Sequence, residues 1–116
     1  SIICKNTINR YLDYMESKLL PFSQERYYFG VPAAHLTSNV SDDLDIKRRE
    51  LIKAYNSLLK KEVLSRGSFF LDVYNLTANE SGDNNKLYMC DNCHLSPSSL
   101  PILFENYLFK PWNIIS

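Results

Sequence analysis

At 116 residues, with 13 basic against 13 acidic side chains and 45% hydrophobic residues, the chain has room for one core and not two, and its make-up is that of a folded domain. The charge balance excludes nucleic acid as the main partner, because neutralising phosphates needs a surplus of Lys and Arg on one face. The run Lys47, Arg48, Arg49 reads instead as the solvated side of a helix, and no apolar stretch approaches the roughly 20 residues that span a bilayer.

The chain opens at Ser1 inside an apolar segment, which reads as a cut within a longer protein, so residues 1–116 are expected to form a single unit that is the carboxy-terminal portion of a larger domain. From Ile8 through Tyr11, Leu12, Met15 and Leu19, apolar residues recur every three or four positions, the period of an amphipathic helix, and Pro21 stops it. Tyr27-Tyr28-Phe29-Gly30-Val31 is short, aromatic and β-prone, a buried strand that Pro32 ends. Ser41, Asp42 and Asp43 offer caps and favourable negative charge for a long helix with Leu44, Leu51, Tyr55, Leu58, Leu59 and Val63 on its inner face, closed by Gly67.

Ser68 to Leu76 is nearly continuously apolar and reads as a second strand covered on both faces. Strand, helical crossover and strand make a βαβ unit with parallel strands. Asn79 to Lys86 carries Ser-Gly-Asp-Asn-Asn and is a surface loop. Leu100, Leu103, Phe104, Tyr107 and Leu108 then repeat at helical spacing, with Ser96 or Ser98 as cap, before an irregular tail containing Pro111 and Trp112. An incomplete sheet of this kind leaves an edge uncovered, so homo-oligomerisation through that edge is expected.

Three cysteines, Cys4, Cys90 and Cys93, are a poor disulfide framework and fit reduced thiols, which slightly favours a cytoplasmic setting while leaving export open. Asn-x-Ser/Thr triplets begin at Asn39, Asn75 and Asn79; a chain rich in Asn and Ser produces such triplets by chance, and they matter only in a secretory setting.

Chemistry concentrates in Tyr88-Met89-Cys90-Asp91-Asn92-Cys93-His94-Leu95-Ser96-Pro97, between a predicted strand and a helix, the position where ligands bind in open α/β folds. An acid and a histidine three residues apart on a tight turn can share a hydrogen bond that leaves the second imidazole nitrogen as a base.

Asp91-Asn92-Cys93-His94-Leu95-Ser96-Pro97 followed by a helix resembles the final Asp-x-x-His block of the SGNH (GDSL-type) hydrolases, and the order of elements from Tyr27 to Phe109 is similar to the last third of that fold. The resemblance implies a partial three-layer α/β/α sandwich, flavodoxin-like, with parallel strands. It also implies His94 as the general base for a serine hydroxyl and Asp91 as its orienting partner. The substrate would be a small-molecule or carbohydrate ester, cleaved through an acyl-serine without a cofactor or metal. The family's Gly-Asp-Ser nucleophile block and its oxyanion Gly and Asn blocks are not recognisable here: Gly67-Ser68 and Ser81-Gly82-Asp83 lack the spacing. The resemblance therefore implies that these blocks precede Ser1 in the parent, and that this chain alone is inactive.

Three other readings use the same residues. Cys90-x-x-Cys93-His94 matches the C-x-x-C-H pattern of c-type haem attachment, with His94 as axial ligand. Zinc would need Cys90, Cys93, His94 and a distant fourth ligand, Cys4 or His35. In the third, Asp91 caps a turn, His94 is an ordinary loop residue, and the protein is a non-catalytic interaction module. Asp72, an acid inside a predicted strand, is expected at the end of the apolar run, bonded to neighbouring backbone amides.

Overall fold

In the computed structural model, which describes residues 2–19, 25–35, 42–91 and 94–111, the order is α1 (Ile2–Leu19), β1 (Tyr27–Phe29), α2 (Asp42–Ser65), β2 (Phe69–Leu71), α3 (Val73–Thr77), a 3-10 turn (Pro97–Ser99), α4 (Leu100–Asn106) and β3 (Leu108–Phe109). The expected stop at Pro21, the cap at Ser41 and the tail at Trp112 lie outside the described residues.

The sheet runs β1-β2-β3. β1 and β2 are parallel, with Tyr27, Tyr28 and Phe29 opposite Phe69, Phe70 and Leu71, and α2 is the crossover between them. Because side chains alternate along a strand, the two faces serve two clusters. Tyr28 and Phe70 join Ile8, Leu12, Leu59, Val63 and Leu64 from α1 and α2, while Leu71 joins Val73, Leu76 and Leu103 from α3 and α4. The chain is thus a mixed helix and sheet structure with one parallel pair.

The expected parallel pair is β1 and β2, and β3 adds an antiparallel strand to it, pairing Phe109 with Phe70 and Leu108 with Leu71. The expected helix through Leu108 stops at Asn106: the Tyr107 amide still donates to Leu103, and the Tyr107 carbonyl then turns to accept the Asp72 amide at 2.9 Å. The apolar run expected as one strand from Ser68 to Leu76 divides after Leu71. Asp72 is the reason. Its carboxylate accepts the Asn75 amide at 3.1 Å and caps α3, so the chain changes period from two to 3.6 without any change in hydrophobicity. Gly67 closes α2 as expected, at φ +77, with the Ser68 amide reaching back to the Val63 carbonyl.

The inner face of α2 is one position away from the expected one over its first half. Leu44 and Leu51 are 59% and 57% exposed, whereas the inward stripe runs Asp45, Arg49, Ile52, Asn56, Leu59, Val63 at spacings of three and four. Polar contacts hold that first half. Arg48 bonds Asp45 at 2.8 Å and also donates to the His35 carbonyl, and Arg49 reaches the Ser81 carbonyl at 3.2 Å and Asp83 at 3.4 Å. Tyr27 and Phe29, expected in a buried strand, are half exposed on the edge strand, where Tyr27 stacks on Phe69 at 4.7 Å between centroids.

Asn56 secures the exit from β1. Its carboxamide accepts the Val31 amide at 2.7 Å and donates to the Val31 carbonyl at 3.1 Å and the Ile52 carbonyl at 2.9 Å. Gly30 lets it come so close: a Cβ there would sit 2.6 Å from Asn56 Oδ1 and 2.9 Å from Phe70 Cζ. Gly30→Ala should therefore cost about 1–3 kcal/mol, the usual range for overpacking a filled site. Urea unfolding measures this, and a midpoint equal to wild type would show that the contact is not tight.

Tyr28 is buried, and its hydroxyl has no hydrogen-bond partner among the described residues. Burial pushes its phenol above the usual tyrosine range, partly opposed by Arg26. The folded state thus holds this proton more tightly than the unfolded state. Its contribution is complete below about pH 10 and is lost as pH rises through the folded value. Unfolding midpoints should fall above pH 10 in wild type and fall less steeply in Tyr28→Phe. Equal slopes would remove Tyr28 as the source.

Candidate active site

Residues 88–91 and 94–96 run side by side as the two arms of a miniature hairpin. Met89 and Leu95 form an antiparallel bridge, the Cys90 amide donates to the His94 carbonyl at 3.0 Å, and the Ser96 amide donates to the Tyr88 carbonyl at 2.7 Å. Tyr88 and Leu95 pack on the cluster of Leu71, Val73, Leu76 and Leu103, so the base of the hairpin is seated on the core next to the end of β2. Ser96 then caps the 3-10 turn, its Oγ accepting the Ser98 amide at 3.4 Å, with Pro97 in the first turn. Ser96 thus caps the turn, whereas the residue at the N-cap of α4 is Ser99 and neither Ser96 nor Ser98.

At the tip, one carboxylate engages one histidine twice. Asp91 Oδ1 accepts the His94 backbone amide at 2.7 Å, and Asp91 Oδ2 lies 2.7 Å from His94 Nδ1. An ionised carboxylate can only accept, so this contact favours the ring form in which Nδ1 is the donor. The backbone bond fixes the carboxylate relative to the chain, and the ring bond then fixes the imidazole.

This pair contributes little to stability. The His94 and Asp91 side chains are 72% and 52% exposed, and exposed pairs are worth about 0–1 kcal/mol even when both partners are charged. Its effect is to set the tautomer and the direction of the ring.

Of the other sequence candidates, Cys90 shares the hairpin, while Cys4 and His35 lie elsewhere. Cys90 is exposed, with its thiol 3.5 Å from the His94 carbonyl and 3.7 Å from that of Leu95. Cys93, which both the haem and the zinc readings require, lies outside the described residues. Cys4 lines an apolar groove with Val31, Leu51, Ile52 and Tyr55, and His35 follows β1, its carbonyl bound by Arg48. Among the described residues no group of three or more His, Cys, Asp or Glu is placed to hold a metal ion.

Asp72 bonds the Asn75 amide, as expected, and also Asn75 Nδ2 at 2.6 Å. Next to it a polar groove of about 340 Å³, lined by Arg49, Lys53, Tyr74, Asn75, Asn79 and Ser81 among others, separates α2 from α3 and the loop that follows. Burial pushes the Tyr74 phenol up, with Arg49 opposing and Asp83 adding to the shift. Sequence reading missed this groove, because its lining comes from two segments about 30 residues apart whose polar residues each look like ordinary surface. Comparison of the chain with known protein families, with curated protein sequences and with solved structures returns no match.

If Asp91 sets the tautomer, nitrogen-15 spectra above the imidazole titration should show a proton on Nδ1 in wild type and a shift toward the Nε2-protonated form in Asp91→Ala. A wild-type ring protonated mainly on Nε2 would remove Asp91 as its orienting partner.

Proposed function

We propose that this chain is the carboxy-terminal part of an SGNH-type serine esterase or acyl-ester hydrolase, contributing the general base His94 and its orienting carboxylate Asp91. The observation that carries the reading is the double engagement of His94 by Asp91 at 2.7 Å, with the His94 side chain 72% exposed. In such a parent, Nε2 takes the proton of an upstream serine as its oxygen attacks the ester carbonyl. The same proton then passes to the leaving alcohol, and Asp91 stabilises the imidazolium formed between the two steps.

The parallel β1-α2-β2 unit and the clusters on both faces of the sheet are what a three-layer, flavodoxin-like parent would require of its last third. The exposed apolar side chains Val31 and Leu51, which line one groove with Ile52 and Tyr55, mark the surface where this reading seats the rest of the domain or, in the isolated chain, a second copy.

The test uses the longer parent. With a generic chromogenic acetyl ester as substrate, His94→Ala and Asp91→Asn should each lower kcat by roughly 10³–10⁴-fold with a smaller change in KM, as expected for removing a triad member. A fluorophosphonate probe should label an upstream serine of the parent and leave this chain unlabelled. Full activity in His94→Ala, or a parent without a reactive serine, would sink the reading.

A further inference from the structure

Two of the Asn-x-Ser/Thr triplets lie among the described residues, and the fold treats them oppositely. In Asn75-Leu76-Thr77, the nitrogen that would accept a sugar is already committed, since Asn75 Nδ2 donates to Asp72 Oδ2 at 2.6 Å. The Thr77 hydroxyl is fully buried, donating to the Val73 carbonyl at 2.8 Å and accepting the Ala33 amide at 2.9 Å. Both groups that the triplet needs are built into the α3 cap and the exit from β1.

In Asn79-Glu80-Ser81 all three residues are exposed. Asn79 Oδ1 accepts the Ser81 amide and the Asp83 amide, each at 3.0 Å, and shares the proton of the Ser81 hydroxyl, 2.8 Å away, with Asp83 Oδ2 at 3.2 Å. These bonds engage only the oxygen of the carboxamide. They hold the third-residue hydroxyl against the acceptor side chain and leave Nδ2 as the part of an exposed group that the turn does not use.

We propose that Asn79 is an acceptor for N-linked oligosaccharide and that Asn75 is not. The co-reactant is an oligosaccharide carried on a lipid pyrophosphate, brought by its transferase. A bond forms between Asn79 Nδ2 and the anomeric carbon as the bond from that carbon to the pyrophosphate oxygen breaks. The lipid pyrophosphate leaves, and Nδ2 gives up one of its two protons to a base of the transferase. The product keeps the Oδ1 hydrogen bonds, so the turn survives modification. The sugar stands at the rim of the groove between α2 and α3, which Asn79 and Ser81 help to line. This assignment is independent of the hydrolase reading, and it places the loop in the secretory lumen, contrary to the cytoplasmic setting that the cysteines favour.

The test is to produce the chain behind an export leader in a eukaryotic host and map peptides from medium and lysate by mass spectrometry. Mapping is done before and after peptide N-glycosidase, which converts a glycosylated Asn to Asp. The expected result is conversion at Asn79 and none at Asn75, with the glycopeptide lost in Ser81→Ala and kept in Ser81→Thr. Because both variants leave Asn79 in place, the comparison does not depend on disturbing the turn at its centre. An unmodified Asn79, or a glycan found at Asn75, overturns the proposal.

Discussion

A strand of three residues makes too few ladder bonds to hold its own place, and the fold depends on the carboxamide of Asn56 to finish what β1 begins. That side chain presents one acceptor and one donor to Val31 in the manner of a neighbouring peptide group, so α2 supplies the hydrogen bonds that a longer strand would have supplied. The same device continues beyond it. The Thr77 hydroxyl takes the Ala33 amide, and Asn84 takes the Ala33 carbonyl through its side chain and the Ala34 carbonyl through its backbone. Asn56, Thr77 and Asn84 are each matched to a backbone group that would otherwise be stranded, which is why these three polar side chains can occupy the interior without a large penalty.

Sequence pattern made some of this visible. Ile8 and Leu12 are buried at the helical spacing that predicted them, Gly67 adopts the left-handed geometry expected of a helix end, and β1, α2 and β2 form the predicted parallel crossover. The failures share a cause. Leu44 and Leu51 looked like core because apolar residues usually face inward, but over that half of α2 the neighbours are loops with backbone carbonyls and a carboxylate to satisfy, and Arg48 and Arg49, paired with Asp45, serve them better. Likewise nothing in the composition of Ser68 to Leu76 marks the change from strand to helix except one carboxylate, and nothing in Leu108 and Phe109 reveals that β2 has an open side waiting for them.

The Asp91–His94 pair was legible because it is local. Three residues separate the partners, a tight turn is enough to bring them together, and no long-range packing has to be inferred. What fixes the pair in space is long-range: Tyr88 and Leu95 are seated on side chains from β2, α3 and α4. Spacing in the sequence therefore reveals the chemistry of the couple, while its orientation toward any substrate is decided by a cluster whose members are scattered over more than 30 residues. The α2–α3 groove shows the converse, a site with no local signature at all.

The two ends of α2 are held by different kinds of force. Toward its end, Leu59, Val63 and Leu64 are buried in an apolar cluster, whereas its beginning rests on Arg48 and Arg49 reaching across to loops. A helix of 24 residues is about 36 Å long, far more than the sheet beneath it can cover. Its amides should therefore not exchange with solvent as one body: the first turns can open on their own, while the last turns open only with the core. One continuous helix then spans two cooperative units. Added salt, which weakens the polar half and leaves the apolar half almost untouched, acts on one end of it alone.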